Sequence, residues 1–263
     1  MNQGYTSNQG YPQYSPNPYT EPMYQKDQIA EPVNFDAITR LNFIRKVYGI
    51  LAVQLLITTI FVLIGTFFIN KNDLSNFLKG IFEVGIIVSI ILSYTMVIAI
   101  VCCVGRSFPA NYICLFIFTI AESFLLMIIS AKYTPQSVVV ALIMTATATI
   151  ALSVYAMTTK TDFTPWVGFL WMILFGFIVF SILFYFFILP LKSLKFGGKI
   201  YYYLGCIIGL IVYSIYLIVD TQLMMGNFGL KYEIDDYIIV ALNLYLDIIN
   251  LFLYLLKLFG EKK

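Results

Sequence analysis

Apolar runs of membrane length repeat along this chain from residue 47 onward, and they constrain its fold more than any other feature. A helix needs about 20 predominantly apolar residues to cross the hydrocarbon core of a bilayer. Seven runs meet that length: 47–69, 84–104, 109–130, 137–157, 166–189, 204–225 and 237–256. Several of the connections between them are short, which makes consecutive helices antiparallel neighbours. The sequence therefore predicts an all-α integral membrane protein, a seven-transmembrane-helix bundle in contact with lipid.

The composition excludes several classes of function. The chain is 60% hydrophobic and 11% charged, whereas soluble domains are about 45–50% apolar and about 25% charged. Its 16 basic and 14 acidic residues nearly cancel, so charge gives no reason to expect nucleic-acid binding. Histidine is absent, which excludes Ser-His-Asp and Cys-His catalysis and also His-ligated zinc or haem. We therefore expect no enzyme and no bound cofactor.

The first 35 residues have a different composition from the rest of the chain. They are rich in Asn, Gln, Gly, Pro, Ser and Tyr, and residues 2–5 recur as residues 8–11. Such a segment has too little apolar surface to offset the entropy lost on ordering. We predict a disordered tail over residues 1–35 and a membrane domain over residues 36–263. The tail is either a solvated extension or a docking segment that uses its Pro-Tyr pairs.

Polar residues inside the last two runs form the main candidate site. A charge in hydrocarbon is costly, so an intramembrane carboxylate is a functional candidate by default. Asp247 lies near the middle of the last run, and Asn243 and Asn250 share its helical face. Asp220 lies near the end of the sixth run. We expect this polar stripe to face the bundle interior or a watery cavity, with the two aspartates either hydrogen-bonded between helices or part of an ion path.

Two further charged residues, Glu122 and Arg106, are candidates for the same site. Glu122 lies in the third run and either forms an interhelical hydrogen bond or lines an ion path. Arg106 lies in the turn after the second run and either acts as a counter-ion for the acids or extends to the headgroups. Carboxylate and Asn oxygens suit Ca²⁺ or protons, but a tight Ca²⁺ site takes about six to eight oxygens. We therefore expect only transient Ca²⁺ contact, at Asp220 and Asp247.

Residues 241–252, Ala-Leu-Asn-Leu-Tyr-Leu-Asp-Ile-Ile-Asn-Leu-Phe, resemble the C-terminal signature of the transmembrane Bax-inhibitor-motif family. The likeness is greatest to the lifeguard branch of that family, whose tails are also rich in Gly, Pro, Tyr and Gln. Supporting segments are Phe-Ile-Arg-Lys-Val-Tyr at 43–48, Thr-Lys-Thr-Asp-Phe at 159–163 and Asp-Thr-Gln at 220–222. The resemblance covers about residues 38–263.

This resemblance implies a seven-helix fold with a central, polar-striped seventh helix. It also implies a pH-sensitive Ca²⁺ leak from an internal store, the endoplasmic reticulum or the Golgi, linked to suppression of cell death. In the family, acids at the positions of Asp220 and Asp247 share a proton and form the latch of the gate, and a base at the position of Arg106 steadies them. Glu122 matches an acid common in the lifeguard branch.

Two other functions remain open. The first is a Ca²⁺/H⁺ exchanger, although secondary transporters usually contain paired Gly/Pro-broken helices, which we do not find. The second is a non-conducting adaptor that restrains death regulators or receptors through residues 1–35. Membrane orientation is not decided by charge, because basic residues flank the helices on both sides. An uncleaved polar tail favours a cytosolic N-terminus.

Overall fold

The computed structural model describes residues 35–69, 76–183 and 195–263. These residues form the helices α1 (Phe35–Phe68), α2 (Asn76–Ala99), α3 (Ala110–Ser130), α4 (Pro135–Thr158), α5 (Val167–Leu183), α6 (Lys195–Met225) and α7 (Tyr237–Phe259). Extended pairing within the described ranges is limited to an isolated bridge between Tyr133 and Lys262. The prediction of an all-α protein is confirmed. The predicted tail, apart from the first residue of α1, lies outside the described residues.

Six of the described helices are long and apolar enough to cross a bilayer. They span Asp36–Phe68, Glu83–Val104, Ala110–Ser130, Pro135–Thr158, Tyr202–Met225 and Ile234–Phe259. The described part of α5 is also apolar but has 17 residues, and the remainder of the predicted fifth run lies outside the described residues. A multi-pass helical membrane bundle is therefore confirmed, whereas the number of seven spans stays a prediction.

Two helices extend well beyond their apolar runs. α1 begins at Phe35 and α6 at Lys195, although the runs begin at residues 47 and 204. The added segments are polar or mixed in composition, and Asp36 in the first turn of α1 suits the positive end of the helix dipole. Hydropathy thus marks the part of a helix that lies in lipid rather than the whole helix.

The connection between α2 and α3 is a tight turn. α2 continues into a π-helical turn, Ile100–Val104, and the side-chain amide of Asn111 in α3 donates to the carbonyl oxygen of Gly105 at 3.1 Å. Asn111 itself is fully buried. This hydrogen bond fixes the turn that carries Arg106.

The last helix, α7, is the most buried of the six candidate spans. Within its apolar window 67% of the residues are buried inside the protein, against 17–39% in the other five. It packs against α6, α4 and α3. Gly209 of α6 lies directly against the ring of Tyr254 of α7, because a small residue lets two membrane helices approach closely. This close approach brings the polar residues of α6 and α7 together.

Candidate functional site

Asp220 of α6 and Asp247 of α7 lie together inside the bundle. Their relative exposures are 8% and 5%, and their carboxyl groups are within hydrogen-bonding reach of each other. Upright helices would place the two residues roughly 7–8 Å apart in depth. The packing of α6 on α7 therefore brings the aspartates closer than helix numbering alone suggests.

The two carboxyl groups differ in their described hydrogen-bond partners. The hydroxyl of Tyr232 donates to Oδ1 of Asp220 at 3.2 Å, whereas the buried Oδ2 of Asp247 has no partner among the described residues. An ionised carboxylate offers acceptors only. Two facing carboxylates without a donor would repel each other, and one proton between them would provide the missing donor. The geometry is therefore suited to a pair that shares a proton.

The aspartate pair opens into a cavity of about 350 Å³ between α5, α6 and α7. Its walls are aromatic and aliphatic, and its polar groups are carboxyl, amide and phenol. The lining residues are Val167, Trp171, Tyr213, Tyr216, Val219, Asp220, Leu223, Tyr232, Asn243, Leu246, Asp247 and Asn250. The structure thus places four of the sequence-predicted site residues, Asp220, Asp247, Asn243 and Asn250, in one cavity.

Tyr232, in the loop between α6 and α7, is a site residue that the sequence reasoning missed. Besides donating to Asp220, its hydroxyl accepts a hydrogen bond from Nδ2 of Asn243 at 3.1 Å. Burial raises the pKa of the Tyr232 hydroxyl, so the group is a neutral donor at physiological pH. Through these two hydrogen bonds, the tyrosine links Asp220 of α6 to Asn243 of α7. No sequence signal distinguishes it from the other tyrosines of the chain.

Arg40 of α1 holds the loop that carries Tyr232. Its guanidinium donates to the carbonyl oxygens of Tyr232 and Leu223, both at 2.7 Å, and of Met225 at 3.4 Å. The last two are carbonyls at the end of α6, which have no partner within the helix. Gly226 follows with φ 68°, a conformation that suits glycine, and a Cβ there would meet the guanidinium. A glycine directly after an apolar run is the one sequence signal for this helix end.

Arg106 has a different acidic partner from the one the sequence predicts. Its Nε and Nη2 donate to the two carboxylate oxygens of Asp236 at 2.7 and 3.0 Å. This hydrogen-bonded partner raises the pKa of Arg106. The expected pairing with Asp220 and Asp247 is not what the structure shows. Asp236 lies just before α7, and Asp247 lies 11 residues further on, roughly 16 Å deeper at 1.5 Å per residue.

Glu122 is not among the residues that line the aspartate cavity. Its Oε2 accepts a hydrogen bond from the hydroxyl of Ser93 of α2 at 3.0 Å. Within the described ranges, no group of three or more His, Cys, Asp or Glu residues is placed to hold a metal ion. The site therefore resembles a pair of acids in a largely apolar cavity rather than a cage for a tightly bound ion.

Comparison with known proteins gives consistent matches over nearly the whole chain. The family model described as inhibitor of apoptosis-promoting Bax1 matches residues 40–263. Protein lifeguard 3 of Homo sapiens is 34% identical over 98% of this chain and 85% of its own length. Protein lifeguard 3 of Mus musculus is 32% identical with the same coverage. Protein lifeguard 4 of Mus musculus is 29% identical over 90% of this chain and 95% of its own length.

Proposed function

Because the chain belongs to the Bax-inhibitor-motif family, as the sequence predicts, we propose that it is a pH-sensitive Ca²⁺ leak channel of an intracellular membrane. Family membership itself indicates a membrane protein that modulates cell death, and we propose that this protein is not an enzyme. The observation that carries the finer proposal is the direct approach of two buried aspartates, Asp220 and Asp247, in a largely apolar cavity.

In this proposal the aspartate pair is the latch between α6 and α7. One proton shared by Asp220 and Asp247 makes their contact a strong, charge-assisted hydrogen bond. Loss of that proton leaves two negative charges in contact, and a second proton leaves an ordinary neutral bond, so either change weakens the latch. The family resemblance favours acid as the condition that opens the channel.

The same residues provide for transient Ca²⁺ binding once the latch opens. Carboxylate and amide oxygens are the ligands that Ca²⁺ prefers, and Asn243 and Asn250 line the cavity beside the two aspartates. These groups are fewer than the six to eight oxygens of a tight site. An ion would therefore bind weakly, keep part of its hydration shell and leave again, which is the requirement for conduction.

The proposed function needs a particular topology. We propose seven spans, as the sequence predicts, and a central seventh helix whose polar face lines the path. Residues 1–35 are proposed as a cytosolic tail that contacts death regulators or receptors, and residues 36–263 as the membrane domain. The membrane is that of the endoplasmic reticulum or the Golgi.

Reconstitution tests this function against its alternatives. The purified full chain is placed in liposomes that contain a Ca²⁺-sensitive dye, with Ca²⁺ added outside. Flux in the absence of a proton gradient supports the channel. Flux that requires an opposing proton gradient identifies an exchanger, and flux no greater than in protein-free liposomes identifies an adaptor. Either of the last two results rejects the leak channel.

A further inference from the structure

A second polar cluster lies among α1, α2, α3 and α7, apart from the aspartate cavity. Its side chains are buried, with exposures of 0–6%, except for the partly exposed carboxylate at its edge. We call it the Glu122 cluster, and it consists of Gln54, Thr58, Ser93, Thr119, Glu122, Ser123 and Tyr245. Hydrogen bonds link α1 with α3 and α7, and α2 with α3, inside an otherwise apolar bundle.

The hydroxyl hydrogens of this cluster are already used. Thr58 donates its hydrogen to the backbone oxygen of Gln54 at 2.9 Å. A hydroxyl has one hydrogen, so Ser123 and Tyr245, at 2.9 and 2.8 Å from Oγ1 of Thr58, must both donate to it. Thr119 likewise donates to the backbone carbonyl four residues before it. None of these four hydroxyls has a hydrogen left for another acceptor.

The acceptors of the cluster, in contrast, are in excess. Thr119 can only accept from Gln54, whose Nε2 lies 3.0 Å away, so this contact fixes the orientation of the amide. Oε1 of Gln54 is then buried without a hydrogen-bond partner. The hydroxyl oxygens of Ser123 and Tyr245 keep free lone pairs. Glu122 adds a carboxylate with a described hydrogen bond to Oε2 alone.

From this imbalance we propose that the Glu122 cluster is a second cation-binding position. A buried oxygen without a donor is costly, and a cation satisfies several such oxygens at once. Glu122 provides the charge, whereas Gln54, Ser123 and Tyr245 provide neutral oxygen ligands of the kind that Ca²⁺ accepts. The choice of Ca²⁺ as the ion rests on the proposed function; the argument for a cation rests on the excess of acceptors. Tyr245 of this cluster and Asp247 of the aspartate pair both belong to α7.

Thermal unfolding of the purified full chain, measured against Ca²⁺ concentration, tests this site without any flux. All variants carry Asp220→Asn and Asp247→Asn, so the aspartate pair cannot contribute. Ca²⁺ is expected to raise Tm in this background. Adding Glu122→Gln should raise the Ca²⁺ concentration needed for the same shift by on the order of tenfold, because ligand charge sets the affinity of such sites. Glu122→Asp, which keeps the charge, should retain most of the response.

Glu83→Gln is the matched control, since Glu83 is an exposed acid at the start of another span. It should leave the Ca²⁺ response unchanged. Gln54→Met removes the buried oxygen without changing charge and should also weaken the response, which gives a second test if Glu122→Gln does not fold. An equal Ca²⁺ response in the parent background, Glu122→Gln and Gln54→Met would overturn the site. So would a parent background that does not respond to Ca²⁺.

Flux measurements separate this inference from the proposed function. Glu122→Gln in the otherwise native chain should lower the maximal Ca²⁺ flux about threefold, which corresponds to about 0.65 kcal/mol in the barrier. It should leave the pH dependence of the flux in place. Ca²⁺-dependent stabilisation that requires Glu122, together with no flux in the native chain, would reject the channel and retain the cation site.

Discussion

Replacing Arg40 by glutamine should loosen the loop between α6 and α7, which carries the Tyr232 side chain that contacts Asp220. Arg40 reaches from α1 to the carbonyl oxygens of Leu223 and Tyr232, both at 2.7 Å. Glutamine is shorter, neutral and able to replace one of these bonds at most. The backbone of Tyr232 then loses its hydrogen bond from Arg40, and the Tyr232 hydroxyl that donates to Asp220 is held less firmly.

The size of the effect follows from these bonds. A hydrogen bond from a charged donor contributes about 1.5–3 kcal/mol, and we take the lower end for each because Arg40 is only partly buried and solvent screens its charge. Two bonds then amount to about 3 kcal/mol, of which one neutral bond from glutamine recovers about 1 kcal/mol. A net loss of about 2 kcal/mol is roughly a thirtyfold increase in the open population of the loop.

Hydrogen exchange of backbone amides measures this opening directly. The amide of Tyr232 donates to Leu223 O at 3.2 Å and that of Gly226 to Gln222 O at 3.0 Å. Both should exchange about 10–100-fold faster in Arg40→Gln. Arg45→Gln makes the same charge change at an exposed position of α1 and should have no effect on them. Unchanged protection of Tyr232 in Arg40→Gln, or equal acceleration in Arg45→Gln, would refute the anchoring role.

Three further predictions follow. Gly209→Ala should destabilise the protein by about 1–3 kcal/mol, seen as a lower Tm, because a Cβ would lie within 3.0 Å of the Tyr254 ring; an unchanged Tm would contradict the close packing. Arg106→Gln and Asp236→Asn should lower Tm by amounts that do not add in the double variant, since each breaks the same ion pair; fully additive effects would mean that the pair does not couple. A chain beginning at Asp36 should give the same Ca²⁺ flux per protein in liposomes as the full chain, and loss of flux with normal insertion would show that residues 1–35 take part in conduction.

Composition and periodicity predict the membrane bundle because lipid imposes simple rules on a helix. A run of about 20 apolar residues and a backbone that must satisfy its own hydrogen bonds leave few alternatives. The shared face of Asn243, Asp247 and Asn250 follows from helical geometry, and the cavity contains all three. Local sequence rules therefore predict which residues share a face of one helix.

Contacts between distant segments are what the sequence does not reveal. Arg106 and Asp236 are 130 residues apart and Arg40 and Tyr232 are 192 apart. Their pairing depends on how the helix ends meet, which hydropathy does not encode. A positively charged side chain near a membrane surface has many acidic and carbonyl partners within reach, so the position of Arg106 in the sequence does not decide which acid it pairs with.

The central claim, that a proton shared by Asp220 and Asp247 gates Ca²⁺ flux, is tested most directly by flux against pH. Wild type, Asp220→Asn, Asp247→Asn and the double variant are compared in dye-loaded liposomes, with Glu83→Gln as the control for loss of a carboxylate. Wild-type and control flux should vary between about pH 6 and 8, and each single variant should flatten that dependence. The double variant should be no flatter than either single one, because the two residues hold one proton between them. A wild-type pH profile that survives in both single variants would contradict the shared-proton latch.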